Sequence, residues 1–322
     1  MGQGSTPTLG RRIAPAVATP GGSPSARGSA RVGGRRRTLG LAAALAYMGP
    51  YVASMSALAV VALAFGIVVS LFRYSALNGF HLQYVGLANL RNALSDPIFL
   101  SSLVFTGLLL VIPTLLQVFG GLVLAVAVGQ YLRPLTSKLV QPFLIVPLFV
   151  SPVVAGLLWR VMFTPNVGLF ASGGLANINW LGSPLLARIV VFGADLWAWT
   201  PFAFVLLLAA VKTLPGTTYE AARLDGASEW TLFWRITVPQ LRGAMFTALA
   251  LEVVNGLYTL PLIYALTSGG PGTSTEPLNY YGFSVGFEQF NLGYAAALFL
   301  YLLVIAAIPA SALALRLRRE TT

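Results

Sequence analysis

Cysteine is absent from these 322 residues, and histidine occurs once, as His81. Without cysteine there is no disulfide, no thiolate nucleophile and no cysteine-based metal site. A lone histidine excludes a multi-histidine metal centre, and His81 reads as a solvated loop residue. Charged residues make up only 9% of the chain, nine of them acidic; a soluble domain carries about 25%. Lysine is scarcer still. Lys138 follows a serine and Lys212 a valine, so the Gly-Lys-Ser/Thr element of a phosphate-binding loop is missing. The chain cannot energise a nucleotide-driven process alone, and its scattered acids form no catalytic constellation for a membrane-embedded enzyme.

Apolar surface fills the space these absences leave. Hydrophobic residues account for 57% of the chain and the mean hydropathy is +0.78. Arranged in long uninterrupted runs, they describe an all-α integral membrane protein. A hydrocarbon core of roughly 30 Å takes about 20 helical residues to cross. Six segments qualify, at about 47–72, 99–130, 138–159, 188–211, 243–267 and 293–315. Pro113, Pro147, Pro152, Pro201 and Pro261 fall inside them. Each would cost a helix in water about 3 kcal/mol, whereas a bundle can satisfy the freed carbonyls. Residues 1–40 differ in kind: rich in Gly, Ser, Pro, Thr and Ala, with seven arginines and no acid up to position 38. That composition cannot offset its ordering entropy and predicts a disordered basic tail, serving as a topology signal or drawn to anionic lipid. It is not a secretory signal, because the apolar run Leu39–Phe72 is too long and lacks a clear small-residue cleavage site. Residues 41–322 are then one transmembrane domain.

A net charge of +11 serves topology here rather than nucleic acid. With the tail placed inside, that side also holds Arg133, Lys138, Lys212, Arg223, Arg235, Arg242, Arg316, Arg318 and Arg319. The other side holds only Arg73, Arg91, Arg160 and Arg188. Sixteen against four predicts that both termini are cytoplasmic.

This orientation puts one polar island, YEAARLDGASEWTLFWRITVP, in a cytoplasmic loop at about 212–242 between spans four and five. Thr217 and Glu220 have the spacing of a capping box, so a helix can begin at Thr218. Asp225-Gly226 is a stop, since glycine accepts the left-handed conformation. Ser228 can cap a second helix with Glu229 at its positive end, and Pro239 ends it. Trp230, Phe233 and Trp234 fall on one face of that helix. Such a face suits a groove on a partner protein, or it lies along the membrane interface.

Glu220-Ala221-Ala222, then Gly226, then Ile236 with Thr237-Val238-Pro239, resembles the EAA motif of the membrane subunits of binding-protein-dependent ABC importers. Val238 stands where the family's consensus has leucine. The stretches ARLDGASEWTLFWRITVPQLR, VGLANLRNALSDPIF and TSGGPGTST are similar to sugar permeases of the maltose and glycerol-phosphate type, over roughly 45–319. The resemblance implies that Glu220, Ala221, Ala222, Asp225, Gly226, Trp230, Ile236 and Pro239 couple the chain to a cytoplasmic ATPase. It further implies a second homologous permease, two ATPase subunits that use ATP and Mg, and an extracellular or lipoprotein solute-binding protein delivering sugar. No cofactor or metal is expected on this chain. The location implied is the cytoplasmic membrane of a bacterial or archaeal-type cell.

Acids within spans are costly and mark candidate sites. Asp195 shares a helical stripe with Trp199 and Phe202; Glu252 shares one with Asn255, Gly256 and Thr259. Hydroxyl-pairing groups beside aromatic faces suit a sugar. Interhelical hydrogen bonding and close packing favour the same residue types. A glycerophosphodiester, a polyol or an amino sugar stays open as substrate, and a self-sufficient carrier with intramembrane acids is a further reading.

Overall fold

The computed structural model describes residues 32–169 and 178–320. The described residues are almost wholly helical: α1 (Val32–Ser70), α2 (Ala88–Ala93), α3 (Pro97–Val126), α4 (Pro134–Ile145), α5 (Pro152–Phe163), α6 (Pro184–Val211), α7 (Gly216–Leu224), α8 (Glu229–Leu232), α9 (Val238–Gly256), α10 (Leu260–Leu266), α11 (Leu278–Phe283) and α12 (Leu292–Glu320). A two-stranded antiparallel ribbon, β1 (Phe72–Arg73) with β2 (Gln83–Tyr84), pairs Phe72 with Tyr84 and Arg73 with Gln83. Among the described residues, four helices are long and apolar enough to cross a membrane, or up to six if each of two bent helix pairs makes one span.

Those two pairs are where the prolines act, and not as the sequence suggests. Spans three and five are not single kinked helices. The third breaks between Pro134–Phe149 and Pro152–Phe163 with a bend of 97°, the fifth between Glu229–Gly256 and Leu260–Leu266 with a bend of 52°. Pro152 and Pro261 sit in the first turn of the helix that follows each break, and Pro147 in the first turn of the 3-10 segment Val146–Phe149 just before the first break. There a missing N–H costs nothing and the fixed φ favours initiation. Pro113 and Pro201 alone of the five are interior.

Contacts divide the chain into two units, Met1–Val60 and Val61–Thr322. In the first, residues 1–31, most of the expected tail, lie outside the described residues. Val32–Thr38, also assigned to the tail, are already helical. Helix propagation explains the difference: each residue added to an existing helix gains a hydrogen bond without a new nucleus, and arginine propagates well.

The second unit is organised around α3 and α6. Val118, Leu122, Phe204 and Leu207 form one buried cluster with Leu241 and Ala248 of α9. Phe105, Leu109, Val190 and Val191 form another with Ala155 of α5 and Leu262 and Ile263 of α10. Small residues let these backbones approach. A Cβ on Gly121 would stand 2.8 Å from the Ala203 Cβ, and one on Gly156 would stand 2.7 Å from the Leu262 carbonyl oxygen. A third cluster joins Phe99, Leu278, Tyr281 and Leu298 at the opposite end of α3 from Tyr131.

Candidate functional site

The polar island forms a helix pair, α7 and α8, whose second member runs on without interruption through α9. Pro239 therefore ends nothing; it lies in the first turn of α9. A π-helical stretch, Phe233–Thr237, takes the chain past that point. The first helix also starts earlier than expected, at Gly216, with Pro215 at its cap position and no side-chain cap bond. The Thr217–Glu220 capping box does not form. Gly216 and Pro215 supply the turn instead, and Pro fixes the approach. The other two signals hold. Ser228 Oγ accepts from the Thr231 amide at 3.3 Å, and Gly226 has φ +81°, the left-handed conformation that terminates α7.

The turn between the helices presents itself to solvent. Glu220, Ala221, Asp225 and Gly226 are exposed, as is Pro239, while Ala222 and Ile236 are half-buried. Trp230 is 72% exposed, and Leu224, which no motif or periodicity singles out, is 90% exposed. Behind this tip the aromatic face is partly used. Trp234 stacks on Phe119 of α3 at 6.1 Å, and Phe233 meets the same ring edge-on. A groove of about 290 Å³ runs between α3 and α8, lined by Phe119, Val123, Tyr131, Trp230 and Phe233.

Three polar side chains fasten the pair. Arg223 Nε donates to Glu229 at 3.1 Å, and the Tyr131 hydroxyl, from the end of span two, donates to the other Glu229 oxygen. Beneath them the buried Tyr219 and Thr237 hydroxyls meet at 2.9 Å. Tyr131, Arg223, Tyr219 and Thr237 were not legible as a set, because their partnership depends on which way α3 ends.

In the middle of the bundle the two intramembrane acids are more deeply buried than a substrate stripe requires. Asp195 is 2% exposed and Glu252 is 1% exposed. Gln117 of α3 donates to an Asp195 carboxylate oxygen at 2.8 Å and to the Asp195 backbone carbonyl at 3.2 Å. Asn255 donates to Glu252 at 3.3 Å. One oxygen of each acid, Oδ1 of Asp195 and Oε1 of Glu252, has no hydrogen-bond partner. Gly256 stands against Leu110 and Thr114 of α3. Thr259 leaves the expected stripe, since α9 ends at Gly256; it caps α10 and lies 3.5 Å from the Asn279 amide nitrogen. Trp199 and Phe202 are half-buried. Nearby, a cavity of about 420 Å³ opens at the break between α4 and α5, lined by Trp197, Thr200 and Pro201 with Phe143, Leu144 and Pro147. The ring that α6 contributes to this cavity is Trp197, which the Asp195 stripe did not include.

At the far end of α3, Asp96 caps the helix by accepting from the Ile98 amide at 2.9 Å. It also accepts from Tyr281 at 2.5 Å and Tyr294 at 2.6 Å. Partial burial pushes this carboxyl up, but the two phenols and the Ile98 and Phe99 amides outweigh it and hold Asp96 below its ordinary value. In the loop before α11, burial pushes Glu276 up to about 7, with Glu288 and Asp96 adding repulsion.

The model of the family described as "Binding-protein-dependent transport system inner membrane component" matches residues 118–319, a stretch containing the whole helix pair. The chain belongs to this family. It is a transport component of the membrane and not an enzyme. Among curated relatives, it is 31% identical over 227 residues to the trehalose/maltose transport system permease protein MalF of Thermococcus litoralis, covering 69% of this chain and 76% of that one. It is 35% identical over 233 residues to the sn-glycerol-3-phosphate transport system permease protein UgpA of Agrobacterium fabrum, covering 70% and 78%. Among solved structures it superposes with a TM-score of 0.70 on a chain of a bacterial alginate ABC transporter in complex with alginate pentasaccharide-bound periplasmic protein. That match is 20% identical over 85% of this chain and 92% of the other, and it shows a shared fold.

Proposed function

We propose that this transport component forms, with a second homologous permease, the path of an importer for a sugar. The solute arrives on an extracellular binding protein, and two cytoplasmic ATPase subunits supply the work. One observation carries this reading: the α7–α8 tip, where a left-handed Gly226 is flanked by exposed Leu224 and Trp230. An apolar tip held by a polar network on a span's end is suited to insertion into a groove of a moving partner. Because α8 continues into α9 and Tyr131 ties α8 to α3, displacement of the tip is delivered to two spans at once. The tip faces the cytoplasm and both termini lie on the same side, as the charge distribution favours.

The names of the relatives support a small hydroxyl-rich solute, with a sugar preferred to a glycerophosphodiester because the spans hold few arginines. In this reading Asn255, Trp199 and Phe202, all half-buried, contact the substrate. Asp195, Glu252, Gly256 and Thr259 set their positions from behind. ATP and Mg stay on the ATPase subunits, and this chain binds neither.

Uptake of labelled sugar by the complete transporter in proteoliposomes tests the reading. Glu252→Gln keeps the shape of the side chain and should retain partial uptake, whereas Glu252→Ala and Asn255→Ala should each lower it by about one to two orders of magnitude while sparing basal ATP hydrolysis. Normal uptake by both alanine variants at matched expression rejects the substrate assignment. Uptake that needs no ATPase subunit rejects the importer reading.

A further inference from the structure

Beside the start of α3, at the end remote from the coupling pair, lies a cavity of about 340 Å³ lined by Arg73, Asn89, Asn92, Asn291 and Tyr294, with Leu77 at its edge. Its walls are fixed. Asn89 donates to the carbonyls of Ser70 and Phe72, at 2.8 and 2.9 Å. Ser75 bridges Asn291, and the Gly293 amide donates to the Tyr74 carbonyl at 3.2 Å. Tyr294 is held by Asp96. A Cβ on Gly293 would fall 2.1 Å from the Phe72 carbonyl oxygen, so the start of α12 is pressed onto β1 as only glycine allows.

Inside this rigid frame the charge is unbalanced. Arg73 is exposed and has neither an ion pair nor a side-chain hydrogen bond; the one salt bridge among the described residues is Arg223–Glu229. Asp96, the acid that holds Tyr294 of the lining, already serves two phenols and a helix end. The Asn92 side chain is also exposed and unengaged. The segment joining α1 to α2, which supplies Leu77 and Val85 to the lining, carries further exposed apolar side chains: Leu77 itself at 93% exposure, with Phe80, Leu82 and Tyr84. A preformed socket with a free guanidinium, lined in part by an apolar segment, fits a carboxylate presented by a protein surface that dries the contact on docking.

We infer that this cavity receives an acidic side chain of the solute-binding protein, paired to Arg73 and supported by the Asn92 amide. The inference rests on the importer reading, which supplies a binding protein on that side. It adds a defined anchoring point and its charge.

The test uses the complete transporter in nanodiscs and its cognate solute-binding protein, with ATP hydrolysis followed against binding-protein concentration. Stimulation of the unaltered transporter is the first arm, and its absence counts against the importer reading itself. Given stimulation, Arg73→Glu should raise the KM for the binding protein about tenfold at low salt, because it turns attraction of the incoming carboxylate into repulsion and slows association. Maximal and basal rates should stay within about twofold, and the difference should shrink near 1 M salt, where the Debye length is about 3 Å. Asn92→Asp, on the surface of α2, should raise KM in the same direction by less. Arg73→Lys should fall between Arg73→Glu and the unaltered chain. An unchanged KM in both Arg73→Glu and Asn92→Asp overturns the assignment. It is equally overturned if the Arg73→Glu effect follows the anionic lipid content of the disc and not the binding-protein concentration, which would make the cavity a headgroup site.

Discussion

Glu229 and Glu252 lie on one helical run, Glu229–Gly256, in opposite settings. Glu229 is half-exposed and saturated, paired with Arg223 and Tyr131. Glu252 is 1% exposed and has one oxygen with no partner. The first belongs to a surface that another protein can grip and release, where water replaces any bond that breaks. The second belongs, with Gln117 and Asp195, to the joint between spans, where no water is at hand. An exposed ion pair contributes about 0–1 kcal/mol, but leaving a buried polar group unmatched costs about 1–3 kcal/mol. The exposed end of this helical run is therefore held by weak, replaceable bonds and the buried middle by few, expensive ones.

The largest predicted effect tests that contrast at the joint. Gln117→Ala removes the side-chain donor to Asp195 and should lower stability by about 3 kcal/mol, the upper end for an orphaned buried group. The measurement is the thermal unfolding midpoint of the purified protein in detergent. Gln117→Leu combined with Asp195→Leu should recover most of the loss, since apolar side chains replace both partners. A midpoint unchanged in Gln117→Ala would mean that the joint is not held by this bond.

Next comes the turn of the α7–α8 pair, which is proposed to couple to the ATPase. A Cβ on Gly226 would meet nothing within 4 Å, so crowding is not the obstacle. The φ of +81° is, and a β-branched residue there costs about 1–2 kcal/mol. Gly226→Val should leave the spans inserted but sharply reduce substrate-stimulated ATP hydrolysis and uptake. Gly226→Asn, which tolerates the left-handed region, should keep most of both. Equal activity of the two variants would separate the conformation of this turn from coupling.

Much of this was legible in the chain because it is local. The apolar runs mark the spans, Asp225-Gly226 marks the turn, Ser228 marks the cap, and the motif around Glu220 marks the family. What was not legible depends on tertiary placement. The stripe through Thr259 assumed an unbroken helix, and the break before Pro261 removes Thr259 from it. Trp199 and Phe202 share a period with Asp195, yet the cavity at the α4–α5 break takes Trp197, because a 97° bend opens on a different side of α6. Gln117 is one polar residue in a long apolar helix and acquires meaning only when Asp195 is seen opposite. The same holds for Asp96, whose two tyrosine partners lie at the other end of the sequence.

A smaller effect concerns Glu276, in the loop before α11. Its pKa of about 7 lies above the ordinary 4.5, so the folded state holds a proton that the unfolded chain gives up. The contribution of this group to stability is full below 4.5 and is lost as pH rises through 7. Glu276→Gln should flatten that decline in a pH series of unfolding midpoints. A series that keeps the decline unchanged assigns the pH dependence elsewhere.

The smallest effect is expected at Glu229, and it sharpens the contrast most. Glu229→Gln keeps the length of the side chain and an acceptor for Tyr131 but removes the charge facing Arg223. Both partners of this bridge are about half exposed, with side-chain accessibilities of 45% and 54%, so screening by water keeps the loss small. Thermal unfolding should barely move, and raising the salt to 1 M should shift the unaltered protein by a comparable amount. The bond to Tyr131, in contrast, joins α8 to the end of α3, and Tyr131→Phe removes it without touching charge. If transmission from the tip to span two runs through that contact, Tyr131→Phe should reduce substrate-stimulated ATP hydrolysis more than Glu229→Gln does, although neither variant is appreciably less stable. Should both variants lose stability as strongly as Gln117→Ala, the α7–α8 pair is held as rigidly as the middle of the bundle, and the distinction between a replaceable surface network and a costly buried one falls.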